Sequence, residues 1–451
     1  MSNQASIKIF SLVQNQQSLP CESVKTSLVK LLGIYYNTLS SNLFTLDLTL
    51  YVVNLSAKTK RILILGAGFG GISMANLLRN DPTIASEGHQ ITIIDQKDYF
   101  MMGLVNLWIL SGIRTLEDSK ISLSKLEDKG IRFLHDEVTA IDVISKTIKI
   151  GRASNLKLEY DYLVIALGTE FALEEVNGFS ENGGINLYDA DQIPSLREKL
   201  LSLKNGRIVI CIASVPYKCP PAPYEASLLI NEILLKNGSR GSVYVDIYTP
   251  TPIALPVAGT KISQSVVNML NDNDIHFHPS HKIKKVLDKG KIDFENGKRV
   301  DYDILIGIPP HKAPAVIRNS DLIKQGQNYM NVDKYTLKTE YENVFAIGDV
   351  NEIKVNGNIF IPKAGIFAEA QAKVVSQLII DDIETNNLSL SSSSRFDGKG
   401  FCFMETGNQQ AGYVAADFYN EEGPATSLEP PSKESYKKKI DFERRRLSEW
   451  F

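Results

Sequence analysis

The stretch "KRILILGAGFGGISMANLLRN" (60–80) restricts the fold more than any other part of the chain. Ile62, Leu63, Ile64 and Leu65 form the continuous apolar run that a parallel strand needs when both its faces are covered. Gly66, Gly68 and Gly71 follow with G-x-G-x-x-G spacing, and Ile72, Ala75 and Leu78 continue with the period of a helix. "QITIIDQ" (90–96) then reads as a second strand that ends in Asp95, 24 residues beyond Gly71. Strand, glycines, helix, strand and acid in this order make a dinucleotide-binding βαβ unit. Gly66 makes the tight turn, Gly68 lets the backbone approach a pyrophosphate, and Gly71 lets the helix pack on the strand. The pyrophosphate lies at the helix N-terminus, where free N–H groups and the dipole favour an anion. Asp95 is expected to accept hydrogen bonds from the adenosine ribose.

The remaining sequence sets outer bounds. A chain of 451 residues has room for two or three domains, and a net charge of −3 supplies no bulk basic field for nucleic acid. No apolar run reaches the length of a membrane span, and "MSNQASIKIF" lacks the pattern of a secretory signal. Four cysteines do not make a disulfide framework, so a cytoplasmic, reducing setting is expected, with attachment to the inner face of the cell membrane left open. Residues 1–57 read as a poorly structured leader. Its one strongly apolar part, "LFTLDLTLYVV", is too short to span a bilayer, and a partner or membrane anchor is the alternative reading.

Two further strands each end in a glycine turn: "YDYLVIALGTEF" (160–171), at Gly168, and "YENVFAIGDV" (341–350), at Gly348-Asp349. They resemble the paired signatures of flavoproteins with two dinucleotide-binding domains. The resemblance implies FAD as cofactor, with Asp349 on the flavin ribityl chain. The expected fold is α/β, with two Rossmann-like domains of the glutathione-reductase-like FAD/NAD(P)-binding type and a C-terminal region. The FAD domain is expected to be split over 58–170 and 300–385. Residues 171–299 form the second Rossmann-like domain, and 386–451 a cysteine-bearing region with an amphipathic basic tail.

The second domain lacks its own fingerprint. After the strand "RIVICI" comes "ASVPYKCPPAPYEA", with no glycine between Gly206 and Gly238. Pro216, Pro220, Pro221 and Pro223 have no N–H to offer a pyrophosphate. Residues 96–120 also lack the cysteine pair of a disulfide reductase. "YKCPPAPYEA", "IPKAGIFAEAQAKVV" (361–375) and "GKGFCFMETGNQQAGYV" (398–414) resemble motifs of sulfide:quinone oxidoreductases and of the flavocytochrome c sulfide dehydrogenase flavoprotein. The likeness spans about residues 59–420. It implies sulfide oxidation to zero-valent sulfur or polysulfide by Cys219 and Cys402, acting as a redox-active pair over the flavin, with a quinone as acceptor. Alternatives are a flavoprotein donating to a cytochrome, an NADH:quinone oxidoreductase, and a non-catalytic sulfur- or flavin-binding protein.

The helix expected just after Cys219 would lower that thiol's pKa, with help from Lys218. Lys363 resembles the lysine near the flavin pyrimidine edge, the alternative being a solvent-facing side chain. Phe403 is a weak candidate for a quinone pocket. Cys211 reads as core, and Cys21 has no role. Tyr188 falls about where quinone-linked members carry a third cysteine. In the tail, Tyr436, Ile440, Leu447 and Phe451 fall at helical spacing beside Lys437–Lys439 and Arg444–Arg446. Residues 432–451 therefore either lie on an anionic membrane or pack on their own domain or a second subunit of a homo-oligomer. His276, His278 and His281 lack the carboxylate or cysteine spacing of a metal site, and none is expected.

The missing fingerprint generates a prediction. NADH is expected to reduce the flavin slowly or not at all, because its pyrophosphate finds prolines instead of a glycine turn. Anaerobic mixing, followed by flavin absorbance, checks this. Bleaching within a catalytic turnover would return the chain to the NADH oxidoreductases.

Overall fold

The computed structural model describes residues 59–151, 156–288, 290–357, 359–385 and 394–451. The leader with Cys21 and residues 386–393 lie outside these.

The described chain begins with β1 (Arg61–Leu65), and α1 (Phe69–Arg79) follows directly from the glycine turn. β2 (Gln90–Asp95), β3 (Arg132–His135) and β4 (Tyr162–Ile165) extend the first sheet. The chain then builds a second sheet from β5 (Gly206–Ile212), α2 (Ala222–Lys236), β6 (Val243–Tyr248), β7 (Ile275–His278) and β8 (Ile304–Ile308). It returns through β9 (Val344–Ala346) and α3 (Gly365–Thr385). It ends in β10 (Lys399–Gly407), β11 (Gln410–Asp417), β12 (Ala425–Ser432) and α4 (Lys433–Trp450).

The first sheet has the order β9-β4-β1-β2-β3, all parallel. The second runs from the short strand Ile185–Asn186 through β8-β5-β6-β7, again all parallel. The central strands β1 and β5 carry continuous apolar runs, because helices or loops cover both their faces: Ile62, Ile64, Leu65, Ile208, Val209 and Ile210 are fully buried. Two Rossmann-like sheets match the expected fold class.

The chain leaves and re-enters the first domain through one antiparallel pair, Glu170–Phe171 against His311–Lys312. The boundary expected at 300 thus falls before β8, which belongs to the second sheet. "ILIGI" is as apolar as the strands of either domain, so composition does not mark the change.

β10, β11 and β12 form an antiparallel sheet, and Ser432 caps α4 by accepting a hydrogen bond from Ser435 N. The buried face of α4 is Tyr436, Lys439, Glu443, Arg446 and Trp450, with 3-4-3-4 spacing. Trp450 packs edge-on against Phe69 and Phe100, at centroid distances of 4.9 and 5.6 Å. Of the two readings of the tail, the structure shows packing on its own chain. The stripe is rotated from the expected apolar one, because three charged residues in it find partners elsewhere in the chain. Lys439 and Arg446 therefore do not face outward. Lys438, Arg444 and Arg445 pair with Glu434, Asp441 and Glu449 on the same helix, at 3.0, 3.8 and 3.9 Å. Among the described residues no helix is long and apolar enough to cross a membrane.

Arg446 Nη2 donates to Glu369 Oε2 of α3 at 2.9 Å, and its guanidinium lies 4.1 Å from the Phe442 ring centroid. Replacing it by Met leaves Glu369 buried with only Lys373 nearby, at 3.8 Å. Arg446→Met is expected to cost about 3 kcal/mol of stability in urea unfolding. A loss under about 1 kcal/mol, the range of exposed pairs, would show that this contact is solvated.

Candidate functional site

Gly66 adopts φ +96°, and a Cβ on it would lie 2.4 Å from Ala166 O. A Cβ on Gly71 would lie 1.8 Å from Gly66 O, so α1 can close on the turn only without a side chain there. Around Gly68 an added Cβ meets nothing within 4 Å, which leaves the space a pyrophosphate needs. No side chain caps the N-terminus of α1 and no acid lies in its first turn. Asp95 Oδ2 accepts from Ala67 N at 2.7 Å and Oδ1 from Lys97 N at 2.8 Å, so this carboxylate also braces the loop. Beside Gly168 (φ +66°), the Thr169 hydroxyl is buried with no hydrogen-bond partner among the described residues. These features fit a bound dinucleotide.

The return segment after β9 carries Asp349. Burial raises its carboxyl pKa, and Lys363 and Lys218 act in the opposite direction. Lys363 is 5% exposed, which removes the solvent-facing alternative. Its Nζ donates to the carbonyls of Asp349 (2.8 Å) and Asn351 (3.0 Å), and lies 3.5 Å from the Tyr329 ring centroid. Burial lowers its pKa to about 8.

The proline loop meets this segment directly. Cys219 N donates to Lys363 O at 2.7 Å, and Ala222 N donates to Cys219 O at 2.9 Å as α2 begins. Cys219 has φ +49°, a left-handed conformation uncommon for a residue with a side chain. Tyr188 donates to Cys219 O at 3.5 Å, so the tyrosine at the missing third cysteine's place does reach this loop. Cys402 lies on β10 opposite Val414. Both thiols are free, and they are close enough that charge on Cys219 opposes ionisation of Cys402.

The expected lowering of the Cys219 pKa is not found. Burial pushes it up to about 12, and Glu225 adds to the rise, while Lys439, the Ala222 amide and Lys218 offset this only in part. Cys402 is raised further, again chiefly by burial. Desolvation outweighs the helix dipole at a site this enclosed. Lys218 Nζ lies 4.6 and 5.5 Å from the ring centroids of Phe171 and Tyr188. Cys211 is core, as expected, 2% exposed in β5.

The other candidates lie farther out. Phe403 packs with Phe401, Tyr413 and Phe442 at 5.8, 5.5 and 6.3 Å. His278 Nε2 and His276 Nδ1 face Asp246 Oδ1 of β6 at 2.7 and 3.4 Å. Two features escaped sequence reasoning. One is a buried charge cluster of Glu225, Glu405 and Lys439, which has no local signal. The other is His311, whose Nδ1 donates to Pro309 O at 2.8 Å and whose Nε2 is buried with no hydrogen-bond partner among the described residues. Burial lowers its pKa to about 3. Its place after the apolar strand in "ILIGIPPH" was the available clue.

A family model described as pyridine nucleotide-disulphide oxidoreductase matches residues 60–213 and 236–372. A second, for the central part of the sulfide dehydrogenase (flavocytochrome c) flavoprotein chain, matches 194–249. The chain belongs to the pyridine nucleotide-disulphide oxidoreductase family, and within it is similar to sulfide:quinone oxidoreductases and to the flavocytochrome c sulfide dehydrogenase flavoprotein. It is thus an oxidoreductase and an FAD-binding flavoprotein. It is 28% identical over 395 residues to the mitochondrial sulfide:quinone oxidoreductase of Dictyostelium discoideum, covering 83% of this chain and 81% of that one. The structure of the sulfide:quinone oxidoreductase from Aquifex aeolicus superposes with a TM-score of 0.74 at 24% identity, over 87% of this chain and 91% of that one. An NAD-dependent persulfide reductase from A. fulgidus shares the fold at a TM-score of 0.62 and 19% identity, over 80% of this chain and 65% of that one.

Purified protein is expected to carry one FAD per chain, since one fingerprint survives. Gly68→Val projects a branched side chain into the pyrophosphate space and is expected to lower FAD content about tenfold or more while the protein stays folded. Flavin absorbance per chain, with circular dichroism, checks this. A normal FAD content would displace the phosphate loop from this turn.

Proposed function

We propose that the protein oxidises sulfide to zero-valent sulfur at Cys219 and Cys402 and passes the electrons through FAD to a quinone. The observation that carries this reading is that two thiols 183 residues apart in sequence come within electrostatic reach of each other beside the loop where a second nucleotide turn is missing. The relatives described above, named for sulfide and quinone, support it. Gly66, Gly68 and Gly71 would hold the pyrophosphate of FAD, Asp95 its ribose, and Gly168 and Asp349 the stretch toward the ring. Lys363 would place a cation beside the flavin. Phe403 and its aromatic neighbours would line the quinone pocket. When bound, FAD supplies the two-electron acceptor between sulfur and quinone.

In the oxidised protein the two cysteines share an S–S bond. This electrophile carries no charge, so burial does not penalise it. Lys218 draws hydrosulfide toward the loop. Hydrosulfide attacks one sulfur, a bond to the incoming sulfur forms, and the Cys219–Cys402 bond breaks. The departing thiolate takes up a proton, because its pKa lies far above neutral. A second hydrosulfide removes the outer sulfur as HSS⁻ and leaves two thiols. These release two electrons and two protons as their S–S bond re-forms.

One observation favours a cytochrome as acceptor instead. Tyr188 stands where quinone-linked members carry a third cysteine, which leaves the two-cysteine pattern of the flavocytochrome flavoprotein. Assays with a soluble quinone and with cytochrome c separate the acceptors.

Cys219→Ala and Cys402→Ala are each expected to lower sulfide-dependent acceptor reduction about a hundredfold or more, and the double variant little further, because the pair acts as a unit. Cys211→Ser should stay close to wild type. Steady-state rates check this, and full activity in Cys402→Ala would end the paired-sulfur reading.

A further inference from the structure

We infer that Lys439 is a positioning residue of the sulfur site: its ammonium joins the helix that follows Cys219 to the strand that carries Cys402, and so holds the two sulfurs opposed. The inference rests on the proposed sulfur chemistry. It gives the C-terminal helix a part in the active site.

Lys439 Nζ donates to Glu225 Oε1 at 2.8 Å and to Glu405 Oε2 at 2.9 Å. Glu405 N also donates to Glu225 Oε1, at 2.8 Å, and the Trp108 indole donates to Glu405 Oε2 at 3.0 Å. All four of these residues are 2% exposed. Glu225 lies six residues after Cys219, in the first turn of α2. Glu405 lies three residues after Cys402, on β10. Lys439 comes from a third element, α4, and is bonded to both carboxylates.

Two carboxylates held together in a dry contact repel strongly. Without a cation, one must take up a proton or the elements must part. A contact serving only to pack α2, β10 and α4 would do as well with apolar side chains of similar size. What the charges add is direction. Lys439 can satisfy both acceptors only in one arrangement of α2 against β10, and that arrangement sets how the cysteines face each other. Disulfide geometry tolerates little error in that placement. The other buried pair of the same helix, Arg446–Glu369, joins α4 to α3, and its hydrogen bonds reach neither cysteine element.

The test is the rate at which Cys219 and Cys402 bridge in the reduced holoprotein treated with diamide, read by peptide mass spectrometry. Two S–H bonds break, one S–S bond forms, and the azo bond of diamide takes up both hydrogens. Lys439→Met is expected to slow bridging about tenfold or more, the scale of a small misplacement of reacting groups. Lys439→Arg keeps the cation and should recover to within about threefold of wild type. Arg446→Met lowers stability without removing a hydrogen bond to the cysteine elements and should bridge at the wild-type rate. If Lys439→Met does not fold, Glu405→Gln replaces it, since it removes one of the two joined charges and must also slow bridging. Wild-type bridging in Lys439→Met, or in Glu405→Gln, overturns the inference, as does equal slowing in Arg446→Met. A wild-type protein that never bridges refutes the sulfur reading itself, and this inference with it.

Discussion

The hydrogen bond from Cys219 N to Lys363 O, 2.7 Å long, ties the two halves of the site together. One partner lies on the proline loop of the second Rossmann-like domain and the other on the segment leading back into the FAD domain. In a nucleotide-binding domain the loop after β5 would curl around a pyrophosphate. Here it extends to Lys363, and the left-handed conformation of Cys219 turns the chain at the point of contact. Lys363 is fixed from its other end by the carbonyls of Asp349 and Asn351, so the cysteine loop, the lysine and the acid form one unit.

Burial determines the electrostatics of this unit. It raises both thiols and Asp349 and lowers Lys218, Lys363 and His311. Every one of these shifts favours the neutral form. Such a site suits chemistry in which an uncharged sulfur pair receives an anion from outside, and it works against a resting thiolate. The Glu225–Lys439–Glu405 cluster departs from this only at Lys439, whose two carboxylate partners hold it in its charged form while burial still raises Glu225. It lies behind the sulfur pair, where α2, β10 and α4 converge.

The legible parts of the sequence were those whose signal is local. Gly66, Gly68 and Gly71 announce their turn because each meets a steric demand within a single βαβ unit. The absence of glycine after β5 was equally plain. Cys219 and Cys402 stood out through the motifs around them, although no spacing in the chain could show that they meet. What could not be read depends on distant partners. Lys439 and Arg446 looked like surface charge because their carboxylates lie 34 to 214 residues away. The sign of the Cys219 shift was misjudged because the helix dipole is visible in sequence and enclosure by β10 and α4 is not. The domain boundary at 300 missed β8 because an apolar strand carries no label for the sheet it joins.

In the proposed function the place of a lost nucleotide site has become a route for electrons from sulfur to flavin. Anaerobic addition of sulfide to the oxidised holoprotein, followed by a quinone, tests it most directly. The account predicts that sulfide bleaches the flavin absorbance and that quinone restores it. A flavin left oxidised by excess sulfide would contradict it.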